Sequence, residues 1–441
     1  MSLLLAAVEK PREIAIELLR HQRGRFIEDL FEKALNENKL SAPDRRLCQQ
    51  LVYGMVRWQK TLDWLIARKT QGRTQKDTLQ HLLRLGLFQL FWLDRIPAHA
   101  AVNETVDLAK RLGFGPQAGF VNAILRGYLR ERDATEKSLL QLRTENPAVG
   151  WSHPEWLVEK WRQRFSAAEL QRLLEWNNAP AKTFARVNSL KTNAEKLQAI
   201  WKGEGVEFSN AASSLPPANV DWIDDNLVFE LSSYSSLAHL HSFQDGLFYV
   251  QDPSTLLAVR ELDPQAGETI LDLCAAPGGK TTFIAQLMDN RGKILAHDTS
   301  AERLPRLREN CARLGATAVE IISGPDLNAA PKKLFDKILV DAPCSNTGVL
   351  RRRVDLRWRI QPAEMARLSK MQPELLRVAA LHLKPGGVLV YSTCSLELEE
   401  NSGVIKKFLA QQPAFKLQNE RELLPFRDGV DGAYVAALRH S

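Results

Sequence analysis

The spacing of hydrophobic positions changes twice along the chain. Over residues 8–132 apolar side chains recur three and four apart: Leu47, Leu51, Met55, Leu62 and Leu65, then Leu82, Leu85, Phe88 and Trp92, then Val121, Ile124, Leu125 and Tyr128. That period puts one apolar stripe on each helix. Pro97 and the stretch Gly113–Pro116 punctuate the pattern without any strand-like alternation, so a helical bundle is predicted. Residues 133–180 read as a connector with its own helices, broken at His153-Pro154 and Asn177-Asn178-Ala179-Pro180.

From residue 181 short strand-like runs enter: Phe184–Asn188, Gly203 into Phe208, Leu227–Leu231 and Leu247–Val250. A helix over Ala194–Trp201 and a polar, proline-bearing loop over Asn210–Ala218 lie between them. A small α+β module over 181–245 is expected. From about 246 the pattern alternates, with strands at 269–273, 293–297, 319–323, 335–340 and 388–392 and helices at 279–289, 301–314, 362–383 and 401–410. Strand and helix in alternation predict a doubly wound, Rossmann-like parallel sheet. The expected organisation is therefore an all-α domain over 1–140, the connector and α+β module over 141–245, and an α/β domain over 246–441.

Composition narrows the class. The 441 residues are 44% hydrophobic and 25% charged, as in ordinary globular proteins. No apolar run approaches the ~18 residues of a membrane span. Leu3–Val8 is too short for a secretory signal and has no basic residue before it, so a cytoplasmic protein is expected. Cys48, Cys274, Cys311, Cys344 and Cys394 are scattered, odd in number and without a Cys-x-x-Cys pair. A disulfide framework or metal site is not expected, and free thiols fit a reducing compartment. Residues 1–150 hold 24 Lys+Arg against 17 Asp+Glu, while the remainder is balanced at 35 against 35. The whole formal charge of +7 thus sits in the helical third, which suggests a polyanionic partner, most simply nucleic acid.

Candidate chemistry lies at three strand ends. Ile270–Thr281, Leu339–Ser345 and Leu389–Ser395 each run from an apolar stretch into small residues. If these strands are parallel neighbours, their loops share the carboxyl edge where open α/β sheets bind ligands. Small residues from Cys274 to Gly279 let backbone amides approach a ligand, and the helix start favours an anionic group. The turn is not a P-loop, which needs glycine at 274, nor G-x-G-x-x-G. Asp298 follows the second strand, placed to accept from both hydroxyls of a ribose; Asp326 and Asp341 follow the third and fourth. A nucleotide-like cofactor would then face Cys344 and Cys394, suggesting covalent catalysis on an electrophilic ring. Cys48 and Cys311 read as inert core residues, and Cys274 as cofactor wall. Trp156 and Trp161 could stack bases, but helical packing is the better reading. The densest charge run, Arg351–Arg353 with Arg357 and Arg359, is either a solvated face or a phosphate contact.

Asp341-Ala342-Pro343-Cys344-Ser345 and Ser392-Thr393-Cys394-Ser395, after Asp272-Leu273-Cys274-Ala275-Ala276-Pro277-Gly278-Gly279-Lys280-Thr281, resemble the RNA 5-methylcytosine methyltransferases. Residues 8–132 are similar to the NusB-like extension of the bacterial 16S rRNA subgroup, through Val52–Arg57, Asp94–Glu104 and Val121–Arg126. Arg186-Val187-Asn188 and Gln251-Asp252-Pro253-Ser254 fit as well. Two departures stand out: Arg353-Val354 before Asp355 where the family commonly has His-Pro, and Gly432-Ala433-Tyr434 where it has an aromatic pair.

The resemblance implies a NusB-like RNA-binding domain, an RRM-like module and a Rossmann-like class I methyltransferase domain. It implies methyl transfer from S-adenosyl-L-methionine to carbon 5 of a specific cytidine of 16S rRNA, through a cysteine–cytosine adduct. Cys394 would be the nucleophile, Cys344 would assist release, Asp341 would hydrogen-bond the cytosine, and Lys280 would lie near cofactor and base. Cys274, Ala275, Ala276, Pro277, Gly278, Gly279 and Lys280, with Asp298, Asp326 and Asp341, would hold the cofactor. Arg186, Arg351, Arg352 and Arg353 are candidate RNA contacts. The partner would be 16S rRNA or a small-subunit assembly intermediate, and the protein a monomer. The same chemistry on tRNA or 23S rRNA, or a non-catalytic assembly role, remains open. A DNA enzyme would carry its nucleophile in the Pro-Cys motif, and the added Thr-Cys motif favours RNA.

Overall fold

The computed structural model describes residues 10–22, 24–38, 40–216, 221–234, 236–323 and 335–441. The chain forms two compact units, one running up to Ala179 and including Leu350–Arg359, the other made of Pro180–Val349 and Ile360–Ser441. Among the described residues no helix is long and apolar enough to cross a membrane.

The first unit is helical. Its centre is built from Ala42–Arg57, Gln59–Thr70, Asp77–Trp92, Ala98–Arg111 and Ala118–Arg130. Most positions picked out by spacing are its core: Leu51, Leu62, Leu65, Leu82, Leu85, Val121 and Leu125 are fully buried, while Leu47 and Trp92 are half-buried. Gly54 permits close helix packing, since a Cβ there would stand 1.9 Å from the Phe88 ring. The expected boundary at 140 lies within the helix Arg132–Glu145. Helices Glu155–Arg162 and Ala167–Asn178 follow in the same unit, the second started by a Ser166/Glu169 capping box. Trp161 is buried, as helical packing requires.

The arginine-rich segment belongs to this helical unit. Arg357 is fully buried and donates to Asn178 Oδ1 at 2.8 Å, the Asn177 carbonyl at 2.8 Å and the Ser152 carbonyl at 3.2 Å. Trp358 Nε1 donates to the Val56 carbonyl, and Asp355 accepts from the Ile27 amide. Arg351 is 3% exposed, with its guanidinium 3.8 Å from the centre of the Trp176 ring. This corrects the expectation for Arg351: burial against an aromatic face takes it out of reach of a phosphate. Arg352 is half-buried and Arg353 exposed.

Among the described residues the second unit holds two sheets. The smaller is antiparallel, in the order β2-β3-β1-β4, from β1 (Thr183–Val187), β2 (Glu207–Asn210), β3 (Val228–Ser233) and β4 (Phe248–Val250). Helix Ala194–Gly203 covers it, with Trp201 packed among Phe208, Phe229 and Phe248.

The larger sheet has seven strands: β5 (Thr269–Leu273), β6 (Lys293–Asp298), β7 (Val319–Ser323), β8 (Phe335–Asp341), β9 (Leu383–Thr393), β10 (Phe415–Leu423) and β11 (Ala433–His440). Their order is β10-β11-β9-β8-β5-β6-β7, with β5 to β9 parallel and β11 antiparallel to both neighbours. Alternate residues feed opposite faces. Ile270, Ile294, Leu339 and Val390 pack with helices Leu256–Leu262, Gly279–Leu287 and Leu304–Leu314. Leu271, Ile338, Val340 and Leu389 pack with Pro362–His382 and Ser402–Gln411. The pairs Leu273–Val340 and Asp341–Ser392 are in register. The ends of β5, β8 and β9 therefore adjoin on one edge, beside the switch point where ligands bind.

Candidate functional site

The turn after β5 is shaped by backbone geometry. Cys274 has φ 64° and Gly278 φ 103°, both left-handed. At Gly278 a Cβ would also lie 2.8 Å from Leu307 Cδ1, so glycine is required twice over. The Gly278 amide donates to the Ala275 carbonyl, and the Ala275 amide to the His297 carbonyl. Asp298, 3% exposed at the end of β6, accepts from the Ala276 amide at 3.0 Å and the Ser300 amide at 2.9 Å. Arg303 lies 3.5 Å from the same carboxylate. Asn310 Nδ2 donates to the Pro277 carbonyl at 2.9 Å. Each Asp298 oxygen can accept more than one hydrogen bond, so the acid both ties down the turn and retains capacity for ligand hydroxyls. A helix start, a left-handed glycine and a buried acid on the next strand fit an adenosine-type cofactor. Asp326 lies outside the described residues.

Arg186 supports this turn from below. It is 1% exposed and donates to the Gly279 carbonyl at 2.9 Å, Gln251 Oε1 at 3.2 Å and Thr282 Oγ1 at 3.1 Å. Burial lowers its pKa to about 9. The expected RNA contact is corrected: the guanidinium fastens β1 to the start of the Gly279 helix and offers nothing to a phosphate. Asp272, buried on β5, accepts from Thr281 Oγ1 at 2.6 Å. Burial, partly opposed by that bond and reinforced by Asp341, raises its pKa to about 7.

The other two strand ends bring the thiols together. Cys344 Sγ and Cys394 Sγ are 3.5 Å apart. Cys394 Sγ donates to Asn346 Oδ1 at 3.0 Å, and Asn346 Nδ2 donates to the Cys344 carbonyl at 2.6 Å. Asn346 holds φ 57°, a conformation asparagine tolerates better than most residues. Its hydrogen bond to Cys394 was not foreseen from sequence, although it stands two residues beyond Cys344. The Cys344 thiol is held well above its ordinary pKa by its contact with Cys394, by burial and by the Cys394 and Glu400 charges. Lys280 Nζ meets Asp341 Oδ2 at 2.6 Å, and Ser392 Oγ donates to Asp341 Oδ1 at 2.7 Å. Burial disfavours the Lys280 ammonium, but Asp341, with Cys394 and Asp272, outweighs it and the net pKa is raised. Asp341, Lys280, Cys344 and Cys394 thus form one cluster beside the β5 turn. Cys48 and Cys311 are buried core thiols, their pKa values pushed to about 12 by burial. Cys274 lines the turn, and burial raises it likewise to about 12.

Sheet order, turn and paired thiols define a Rossmann-type methyltransferase domain joined to a helical domain. Family comparisons match residues 259–439 to the 16S rRNA methyltransferase RsmB/F family, 9–130 to the NusB family, and 153–216 to the RsmF/B-like ferredoxin-like domain. Similar proteins include the probable ribosomal RNA small subunit methyltransferase B of Synechocystis, 39% identical over 97% of this chain and 99% of that one. The probable methyltransferase B of Bacillus subtilis is 34% identical over 97% and 98%, and the Vibrio cholerae methyltransferase B 35% over 91% of each. The chain belongs to the RsmB/F methyltransferase family. Among solved structures, a methyltransferase homolog from Pyrococcus horikoshii is 29% identical with TM-score 0.58, covering 68% of this chain and 99% of its own. NSun6 from the same organism, solved with SFG, is 27% identical with TM-score 0.55, covering 65% and 98%.

Proposed function

We propose that the protein methylates carbon 5 of a specific cytidine in 16S rRNA, free or within a small-subunit assembly intermediate, through a covalent cysteine adduct. The observation that carries this reading is the 3.5 Å approach of Cys344 and Cys394 beside the Lys280–Asp341 pair. S-adenosylmethionine, held by the Cys274–Lys280 turn with Asp298 and Asp341, would supply an electrophilic methyl group. Asp326 is proposed for the same task.

Carbon 5 of cytosine is a weak nucleophile. Asn346 Oδ1, accepting from the Cys394 thiol, places the sulfur; once that proton is lost, addition of the thiolate at carbon 6 makes carbon 5 enamine-like. Asp341, steadied by Lys280 and Ser392, faces the ring's N3 edge and holds a proton there. Once the carbon 5 proton has passed to solvent, elimination breaks the carbon 6–sulfur bond and frees Cys394. Cys344, kept as a neutral thiol, is suited to protonate the departing sulfur. Arg352 and Arg353 are proposed as phosphate contacts, alongside the basic helical domain.

Bisulfite sequencing tests the substrate. Cells lacking the gene should lose one protected cytidine in 16S rRNA, restored by the wild-type gene and not by Cys394→Ala. Loss of protection only in tRNA or 23S rRNA would contradict the reading.

A further inference from the structure

Each thiol is followed directly by a serine, Ser345 after β8 and Ser395 after β9. The two hydroxyls lie 3.0 Å apart and converge on one carboxylate oxygen, Glu400 Oε2, with Ser395 Oγ at 2.5 Å. The Ser345 amide donates to Glu400 Oε1 at 2.9 Å. Gln372, from the Pro362–His382 helix, donates to the Pro343 carbonyl at 3.0 Å and to Glu400 Oε1 at 3.4 Å. Tyr391 donates its hydroxyl to the Glu400 carbonyl at 2.6 Å. Glu400 is fully buried, and its hydrogen-bond partners among the described residues are hydroxyls, an amide and a backbone N–H.

A buried carboxylate without a cation is costly and persists only where its hydrogen bonds are satisfied. Glutamate is therefore an expensive residue for merely filling space. Its partners share one property: they sit in, or brace, the residues adjoining the two reactive thiols. A second tier repeats the arrangement. Thr393 Oγ1 donates to Asn401 Oδ1 at 2.6 Å, Asn401 Nδ2 to the Ser395 carbonyl at 2.9 Å, and the Leu396 amide to Thr347 Oγ1 at 2.9 Å.

We propose that Glu400 is a positioning residue: by binding Ser345 and Ser395 at once it locks the Cys344 and Cys394 loops together and sets the separation of their thiols. Its effect on turnover rests on the cysteine roles given above; its effect on thiol geometry does not.

The test measures that geometry chemically. Diamide joins neighbouring thiols: each sulfur gives up its hydrogen, the S–S bond forms, and the azo group takes both hydrogens to become a hydrazine. The Cys344–Cys394 disulfide is followed by peptide mass spectrometry in the full chain. Glu400→Gln and Ser395→Ala should each slow this crosslink by about tenfold or more, as expected when aligned groups lose their placement. S-adenosylmethionine affinity should be unchanged, and kcat should fall with little change in KM for RNA. Ser395→Ala, which leaves no buried charge altered, decides the matter if Glu400→Gln does not fold. Wild-type crosslinking rates in the folded variants would overturn the proposal. Slowed crosslinking upholds it even if the RNA proves not to be methylated, in which case the functional reading fails alone.

Discussion

The turn after β5 and the loops after β8 and β9 occupy adjoining strand ends and are held in different ways. The turn is held chiefly through backbone groups: left-handed Cys274 and Gly278, amides bonded to nearby carbonyls, and Asp298 accepting two N–H groups. The thiol loops depend on side chains drawn from distant stretches, with Ser345, Gln372, Ser395 and Glu400 meeting in one network. A cofactor can be recognised by backbone amides, whose placement is local. The proposed reaction needs its two sulfurs at a fixed separation across strands, and long-range side-chain contacts supply it together with the backbone bond from the Gly348 amide to the Cys394 carbonyl.

If the turn rests on Arg186 as well as on its own backbone, Arg186→Met should cut deepest. Several buried acceptors lose their donor, and stability should fall by about 3 kcal/mol, read from urea unfolding. Cofactor affinity should fall with it, unlike the expected response to Glu400→Gln. Unchanged stability would show that the turn needs no support from β1.

Asp298→Ala should be milder, weakening S-adenosylmethionine binding by roughly 1.5–3 kcal/mol, or about ten- to a hundredfold, while RNA affinity holds. Calorimetry with and without RNA separates the two. Equal losses would mean that turn and thiol loops are not independent.

The last effect is a pH dependence and concerns Asp272. Its pKa of about 7 lies above the ordinary 3.8, so between those values the folded protein holds the proton that the unfolded chain has lost. Stability should therefore decline from about pH 4 to pH 7. Asp272→Asn should flatten that decline and gain relative stability at neutral pH. Urea melts across the range would contradict this if both proteins showed the same slope.

Much of the frame was legible in the sequence because its signals are local. The strand at 335–340 and the helices after β5 and β8 follow from runs of five to twenty residues with clear period. β11 escaped notice because Ala433–Leu438 is buried on both faces and shows no alternation, and β10 because its exposed middle, Lys416–Glu420, reads as surface. Cys274, Cys344 and Cys394 stood out by their position after apolar runs. Glu400 and Gln372 did not, since their partners lie 55 and 29 residues away in sequence. Arg186 and Arg351 misled in the opposite sense: a sequence displays charge, while burial, which decides whether a phosphate can reach it, appears only on folding.

The proposed reaction gives the two thiols different tasks, and trapping the protein–RNA adduct tests this most directly. With RNA carrying 5-fluorocytidine, whose carbon 5 substituent cannot leave, the wild-type protein should form a stable covalent complex and Cys394→Ala none. With unmodified RNA, Cys344→Ala should accumulate the adduct that the wild type releases. An undiminished adduct in Cys394→Ala, or trapping that requires Cys344 in its place, would contradict the assignment.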